Sequence, residues 1–179
     1  REKLFLKQAI KNELLNFDPG FNKSKIFFSE HHYSHAASAF YPSPFENAVI
    51  LTLDGVGEWA TSTVSVGNKN KLEIKKEIHF PHSIGLLYSA FTYYLGFKVN
   101  SGEYKVMGLA PYGSPVYADK IFNNIIDVKE DGSFYLDQSY FDYISGLKMT
   151  SEKFCDLFNH DKRRSESEEL TQFHMNIAA

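Results

Sequence analysis

Apolar and polar positions along the chain follow two rhythms. Residues 2–16 set Leu4, Phe5, Ala9, Leu14 and Leu15 at helical spacing, and Asp18-Pro19-Gly20 closes that helix. Residues 25–29 (KIFFS) predict a short strand. Residues 31–40 then join helix formers and small residues until Tyr41-Pro42-Ser43-Pro44 stops them. Residues 48–53 (AVILTL) are a nearly unbroken apolar run, the pattern of a strand buried on both faces, and Asp54-Gly55-Val56-Gly57 breaks it. Residues 61–66 alternate, and residues 72–80 alternate with Leu72, Ile74 and Ile78 on one face. With residues 68–71 as a second turn, this stretch predicts a three-stranded antiparallel meander.

Farther on, Ser83 is placed to cap an apolar helix over residues 84–95 that Gly96 ends. A glycine-rich loop follows, then a short helix around residues 106–110 and another over residues 115–126. Asp131-Gly132 lies between two short apolar runs, a hairpin signature. Thr150 or Ser151 opens a helix running to Phe158, and Ser165 with Glu168 predicts the capping box of the last helix. Strands interleaved with helices give an α/β class.

Composition narrows the function. Hydrophobic residues make up 43% of the 179 and aromatics 16%, enough for a packed core. The net charge is −3 with no basic stripe, which argues against a nucleic-acid partner. Cys155 is the one cysteine, so a disulfide framework and a cysteine zinc site are excluded, and a reducing, cytoplasmic setting is expected. Flanked by Phe154, Leu157 and Phe158, it reads as a core thiol. The longest apolar run, residues 83–97, is shorter than the roughly 20 residues that span a bilayer, so no membrane partner is expected. The chain starts without Met in a helical pattern and stops inside another, as expected of an excised piece of a longer protein.

The candidate chemistry begins at residues 30–40, EHHYSHAASAF, which hold three of the seven histidines. On a helix, His31 and His35 share a face at i,i+4; His32 and His35, at i,i+3, could do the same. Either pair could offer two imidazoles to a divalent metal such as zinc, iron or nickel; one buried, satisfied ring among solvated ones is the structural alternative. Asp54, at the end of an apolar strand, is the candidate oxygen ligand. Gly55 and Gly57 beside it could let backbone amides approach a phosphate, although Asp-Gly is equally a hairpin signal. Residues 98–113 pack Asn100, Gly102, Glu103 and Lys105 into a loop that could contact an anionic ligand; a solvent-facing Glu103–Lys105 pair is the alternative. Pro81 forbids a helix across His79-Phe80-Pro81-His82, which reads as a strand-end turn. His174 has no evident role.

Taken together, HHYSHAASAFYPSPFENAVILTLDGVGEWATST and FPHSIGLLYSAFTYYLGFKVNSGEYKVMGLAPYG resemble the NodU/CmcH carbamoyltransferase family. The resemblance runs through most of the chain and implies part of an actin-like, sugar-kinase-like (ribonuclease H-like) ATPase superfold, related to the tRNA threonylcarbamoyladenosine enzymes and HypF. It implies O-carbamoylation of a small-molecule or sugar hydroxyl through a carbamoyl adenylate made from carbamoyl phosphate and ATP. It also implies a divalent metal, iron(II) in the relatives and zinc as the other candidate, held by His31, His35 and Asp54, with the Gly55–Gly57 turn against phosphate. Residues 1–45 would end one lobe and residues 46–179 would start the second, with a helical insertion. The remaining lobe and an adenylate-forming domain would be partners within the full-length protein, and this chain alone would be inactive. A non-catalytic metal- or nucleotide-binding module, a tRNA-modifying enzyme and a purely structural domain are the competing readings; the low charge argues against the second.

Overall fold

The computed structural model describes residues 5–158 and 163–179, so Leu4 and the start of the charged segment after Phe158 lie outside the described residues. The expected meander is present: β1 (Asn47–Gly57), β2 (Ala60–Asn68) and β3 (Lys71–His79) pair antiparallel in that order. Two-residue turns join them, with Gly57 opposite Ala60 and Asn68 opposite Lys71. Glu58 and Lys69 take positive φ of 62° and 54° at these turns, the conformation such short hairpins require.

The chain opens with α1 (Leu6–Phe17), and α2 (His31–Phe40) lies on one face of the sheet, where Ala36 and Phe40 pack on Ile50 with Ala48 and Leu72 alongside. Alternation along β1 puts Ala48, Ile50, Thr52 and Asp54 on this face. The facing positions of β2 are small: Thr63 opposite Thr52, Ser65 opposite Ile50 and Gly67 opposite Ala48. A Cβ on Gly67 would fall 2.5 Å from the Phe40 ring, so the helix can seat only over glycine there. The other face carries Val49, Leu51 and Leu53 at 73%, 62% and 51% exposure.

Five expectations are corrected. Residues 25–29 form no strand; Phe27 and Phe28 are exposed, and no neighbouring strand among the described residues offers backbone partners. β1 is buried on one face only: α2 covers that face, while Val49, Leu51 and Leu53 on the other stay exposed. Asp54 to Gly57 do not end β1: the strand runs through them on an irregular register between Leu53 and Gly57. Ile78 does not share a face with Leu72 and Ile74, because a bulge on β3 advances the register by one residue, and a one-residue slip reverses the face. The last helix, α7 (Gln172–Ala178), begins at Thr171 rather than Ser165. Glu168 does accept the Ser165 N–H at 2.9 Å, but as an isolated turn. His174 accepts the Thr171 N–H through Nδ1 at 3.0 Å and so helps cap α7.

The second half of the chain holds the larger core. Ser83 caps α3 (Ile84–Tyr94) by accepting the Leu86 N–H at 3.0 Å, and Gly96 ends it at φ 83°. α4 (Glu103–Leu109), α5 (Ala118–Asn124), the hairpin of β4 (Ile126–Val128) and β5 (Phe134–Leu136), α6 (Glu152–Leu157) and α7 gather around it. Its centre is Phe154, fully buried, with the rings of Phe91, Tyr94 and Phe158 centred 5.1, 5.2 and 5.4 Å away. Cys155 is buried beside it, and burial pushes its thiol above the ordinary range. His82 joins the halves by accepting the Leu136 N–H at 3.1 Å, and Tyr143 donates to the Pro81 carbonyl at 2.9 Å. The structure is thus mixed α/β, with an antiparallel sheet and several helices; no helix among the described residues is long and apolar enough to cross a membrane.

Phe154→Ala should lower stability by about 3–5 kcal/mol, read as an earlier urea midpoint at unchanged slope. In the same titration Cys155 should resist a thiol reagent until the chain unfolds.

Candidate metal centre

The site forms where the start of α2 meets the end of β1. The helix turn brings His31 and His35 onto one side, and the strand delivers Asp54 beneath them. His31 Nε2 lies 2.6 Å from Asp54 Oδ2 and 3.0 Å from His35 Nε2, and His35 Nε2 lies 3.6 Å from the same carboxylate oxygen. All three ligand atoms fall within 4.8 Å of one another, and no other group of three or more potential ligands converges among the described residues.

Each member is held. Asp54 Oδ1 accepts the Gly55 N–H at 2.6 Å, which leaves Oδ2 for the histidines. Burial pushes the Asp54 carboxyl up, but the His31 and Gly55 hydrogen bonds and the two imidazoles outweigh it and hold the group below the usual carboxylate range. The Ser83 hydroxyl sits 2.7 Å from the Gly55 carbonyl and 3.0 Å from the Asp54 carbonyl, tying the strand to the start of α3. Gly85 permits that approach, since a Cβ there would lie 2.5 Å from the Asp54 carbonyl oxygen.

His32 does not join the ligand group. It is 3% exposed, its Nδ1 lies 3.3 Å from Thr63 Oγ1, and its Nε2 has no hydrogen-bond partner among the described residues. Burial, ahead of the neighbouring charges, lowers its pKa, so the ring is neutral at pH 7. An unpartnered buried nitrogen costs on the order of 1–3 kcal/mol. Gly57 explains how the rings fit: a Cβ there would lie 2.5 Å from ring carbons of both His31 and His32. Gly55 has open space instead, with nothing within 4 Å of an added Cβ. In the sequence both glycines suit a phosphate turn, whereas the steric demand of the imidazoles at Gly57 arises only once α2 is seated on the sheet.

The residues 100–105 segment does not join this cluster. Glu103 turns its carboxylate onto its own loop, accepting from the Asn100 and Gly102 N–H groups at 2.9 and 3.1 Å and from the Ser89 hydroxyl at 3.0 Å. Burial pushes its carboxyl up, yet these hydrogen bonds outweigh it and hold it low. Asn100 takes a positive φ of 68°, and the Lys105 ammonium lies 5.8 Å from the Phe97 ring centre.

Gly57→Ala should destabilise the protein by about 1–3 kcal/mol and shift the His31 and His32 ring signals by NMR, while Gly55→Ala leaves both nearly unchanged. Glu103→Ala should cost about 1–3 kcal/mol near neutral pH, the worth of hydrogen bonds to a charged group that close the loop. Because the folded-state carboxyl is depressed, that contribution exists above its unfolded pKa and disappears as pH falls through the folded value. Urea midpoints of wild type and variant should therefore converge in acid.

The family described as Carbamoyltransferase N-terminus matches residues 1–179. An uncharacterized protein of Synechocystis sp., sll1178, is 57% identical over 183 residues, covering 100% of this chain and 29% of that protein. Nodulation protein NolNO of Sinorhizobium fredii is 41% identical over 140 residues, 76% of this chain and 20% of its own length. Nodulation protein NolO of Bradyrhizobium diazoefficiens is 37% identical over 106 residues, 58% of this chain and 19% of its own. The chain therefore spans less than a third of the relatives it matches. On the full-length match, the protein belongs to the carbamoyltransferase N-terminus family.

Proposed function

We propose that this chain carries the metal-binding part of an O-carbamoyltransferase that moves a carbamoyl group from carbamoyl adenylate, made from carbamoyl phosphate and ATP, to a hydroxyl of a small-molecule or sugar acceptor. The observation that carries the reading is the convergence of His31 Nε2, His35 Nε2 and Asp54 Oδ2 within 4.8 Å. The donor set suits a divalent cation. Two ligands about 2.1 Å from one ion and at right angles stand roughly 3.0 Å apart, and the two imidazole nitrogens are 3.0 Å apart. Imidazole with carboxylate fits iron(II) and zinc alike.

When bound, such a cation supplies Lewis-acid polarisation of the carbamoyl carbonyl. The chain's own residues prepare the place for it. Asp54 stays ionised and is oriented by the Gly55 amide; the two imidazoles are set by helix spacing, and that of His31 also by the room at Gly57. Glu103 fixes the loop that leads into α4. Three protein ligands leave a coordination sphere incomplete, so the remaining lobe and the adenylate-forming domain of the full-length protein would complete the site, and this chain alone would not turn over. The same reading takes the fold as part of an actin-like ATPase superfold, divided near residue 45. That boundary falls between α2 and β1, which pack on each other.

Calorimetric titration with zinc, and with iron(II) under anaerobic conditions, should show one site per chain that His31→Ala/His35→Ala removes. Binding should weaken as pH drops, because protons compete for the imidazoles. Wild-type metal binding that survives the double substitution would overturn the assignment. In the full-length protein the same double variant should lose carbamoyl transfer to a hydroxyl.

A further inference from the structure

A cavity of about 240 Å³ opens beside the histidine cluster, between the start of α2, the β1–β2 turn and β3. His31 lines it and belongs to the cluster as well. Its formal charges are of one sign: Glu30, Glu58 and Glu77 line it and no Lys or Arg does, while His79, also in the lining, sets its Nε2 2.9 Å from Glu77 Oε2. The bulge on β3 is responsible for part of this. Ser65 faces Ile74 and Val64 faces Lys76, so Lys75 is the extra residue. In an unbroken strand Lys76 would follow Ile74 onto the α2 face. The bulge places Glu77 there instead, opposite Thr63, and Lys76 faces the other side. A cation in the wall is thereby exchanged for a carboxylate.

Two further features point to a ligand. Trp59, 62% exposed, stands at the rim on the β1–β2 turn and offers an aromatic face. The inner wall is His32, 97% buried, whose Nε2 has no hydrogen-bond partner. An indole face with carboxylates around it attracts a cation, through the ring quadrupole and through charge. The same wall repels phosphate and carboxylate groups. A metal ion is not the occupant these residues favour, since among the described residues only His31, His35 and Asp54 converge closely enough to chelate one. The volume lies just under the roughly 300–1,000 Å³ of ordinary small-molecule sites, room for one ring.

We infer that this cavity binds an organic cation, a small ring bearing a protonated amine, with the ammonium among the carboxylates and the ring against Trp59. It deepens the carbamoyltransferase reading by making the cation part of the hydroxyl acceptor, and rests on that reading only for this identification. Cation binding itself requires neither metal nor nucleotide.

Trp59 is the single tryptophan, so its fluorescence reports on this cavity alone. The chain should be titrated at pH 7 with cyclohexylammonium, cyclohexanol and cyclohexanecarboxylate. The ammonium should give a saturable change, the alcohol should bind roughly tenfold more weakly or worse, and the carboxylate should give none. Glu58→Gln/Glu77→Gln should weaken the ammonium response by a similar factor, with the urea midpoint confirming a folded chain. Glu58→Gln alone, at an exposed turn, is the fallback variant and should weaken it in the same direction. His35→Ala, which removes a proposed metal ligand outside the cavity, should leave the response intact. Equal responses to the three probes, no response to the ammonium, or a response unaffected by the glutamate substitutions would overturn the inference. Loss of the response in His35→Ala would overturn it too, by assigning the effect to the metal centre. A negative fluorescence result beside normal metal titration leaves the carbamoyltransferase reading standing.

Discussion

The seating of α2 against the sheet is the contact on which the rest depends. A ten-residue helix is marginal in water by itself. This one is held by burying Ala36, Phe40 and His32 over a floor of small residues, with Gly67 admitting the Phe40 ring and Gly57 admitting the imidazoles. Lifting the helix by the width of a methyl group at Gly57 would move His31 away from Asp54. The distances that define the candidate metal centre are therefore set by packing a few residues away from any ligand atom.

Stability and chemistry occupy different parts of the molecule. The aromatic core around Phe154 lies among the helices of the second half and carries none of the candidate ligands. The ligands sit on the meander and its covering helix, where the interior is unusually polar: Thr52, Thr63, Ser65 and His32 are all buried. Buried polar groups cost free energy unless paired, and His32 Nε2 and Ser65 Oγ have no partner among the described residues. Arg164 shows the opposite arrangement in the second half, with its buried guanidinium satisfied by the Leu95 and Glu168 carbonyls. Unpartnered buried polar atoms are not confined to the meander, since Tyr94 Oη in the aromatic core also lacks a partner among the described residues.

Much of this was legible in the sequence because it depends on local spacing. Helix periodicity offered His31 or His32 as the partner of His35, the family resemblance chose His31, and the apolar strand pattern led to Asp54 although β1 runs on to Gly57. The Ser83 cap, the Gly96 stop, the turn at residues 68–71 and the burial of Cys155 followed from residues within a few positions of each other. The loop at residues 98–113 stood out as well, but its composition could not show that the Glu103 carboxylate would fold back onto the amides of Asn100 and Gly102.

What the sequence could not decide was which face of each strand points inward. Along β2, alternation is plain, yet the hydroxyl set turns under α2 while Val66 faces out at 38% exposure, the reverse of a polarity rule. On β3, one extra residue sends Ile78 and Lys76 to one side and Glu77 to the other. By itself the sequence determined periods, caps and turns, which arise from interactions along a few bonds of chain. Register, facing and the convergence of imidazole, carboxylate and cavity were decided by the tertiary structure, because they depend on how separate elements fill shared space.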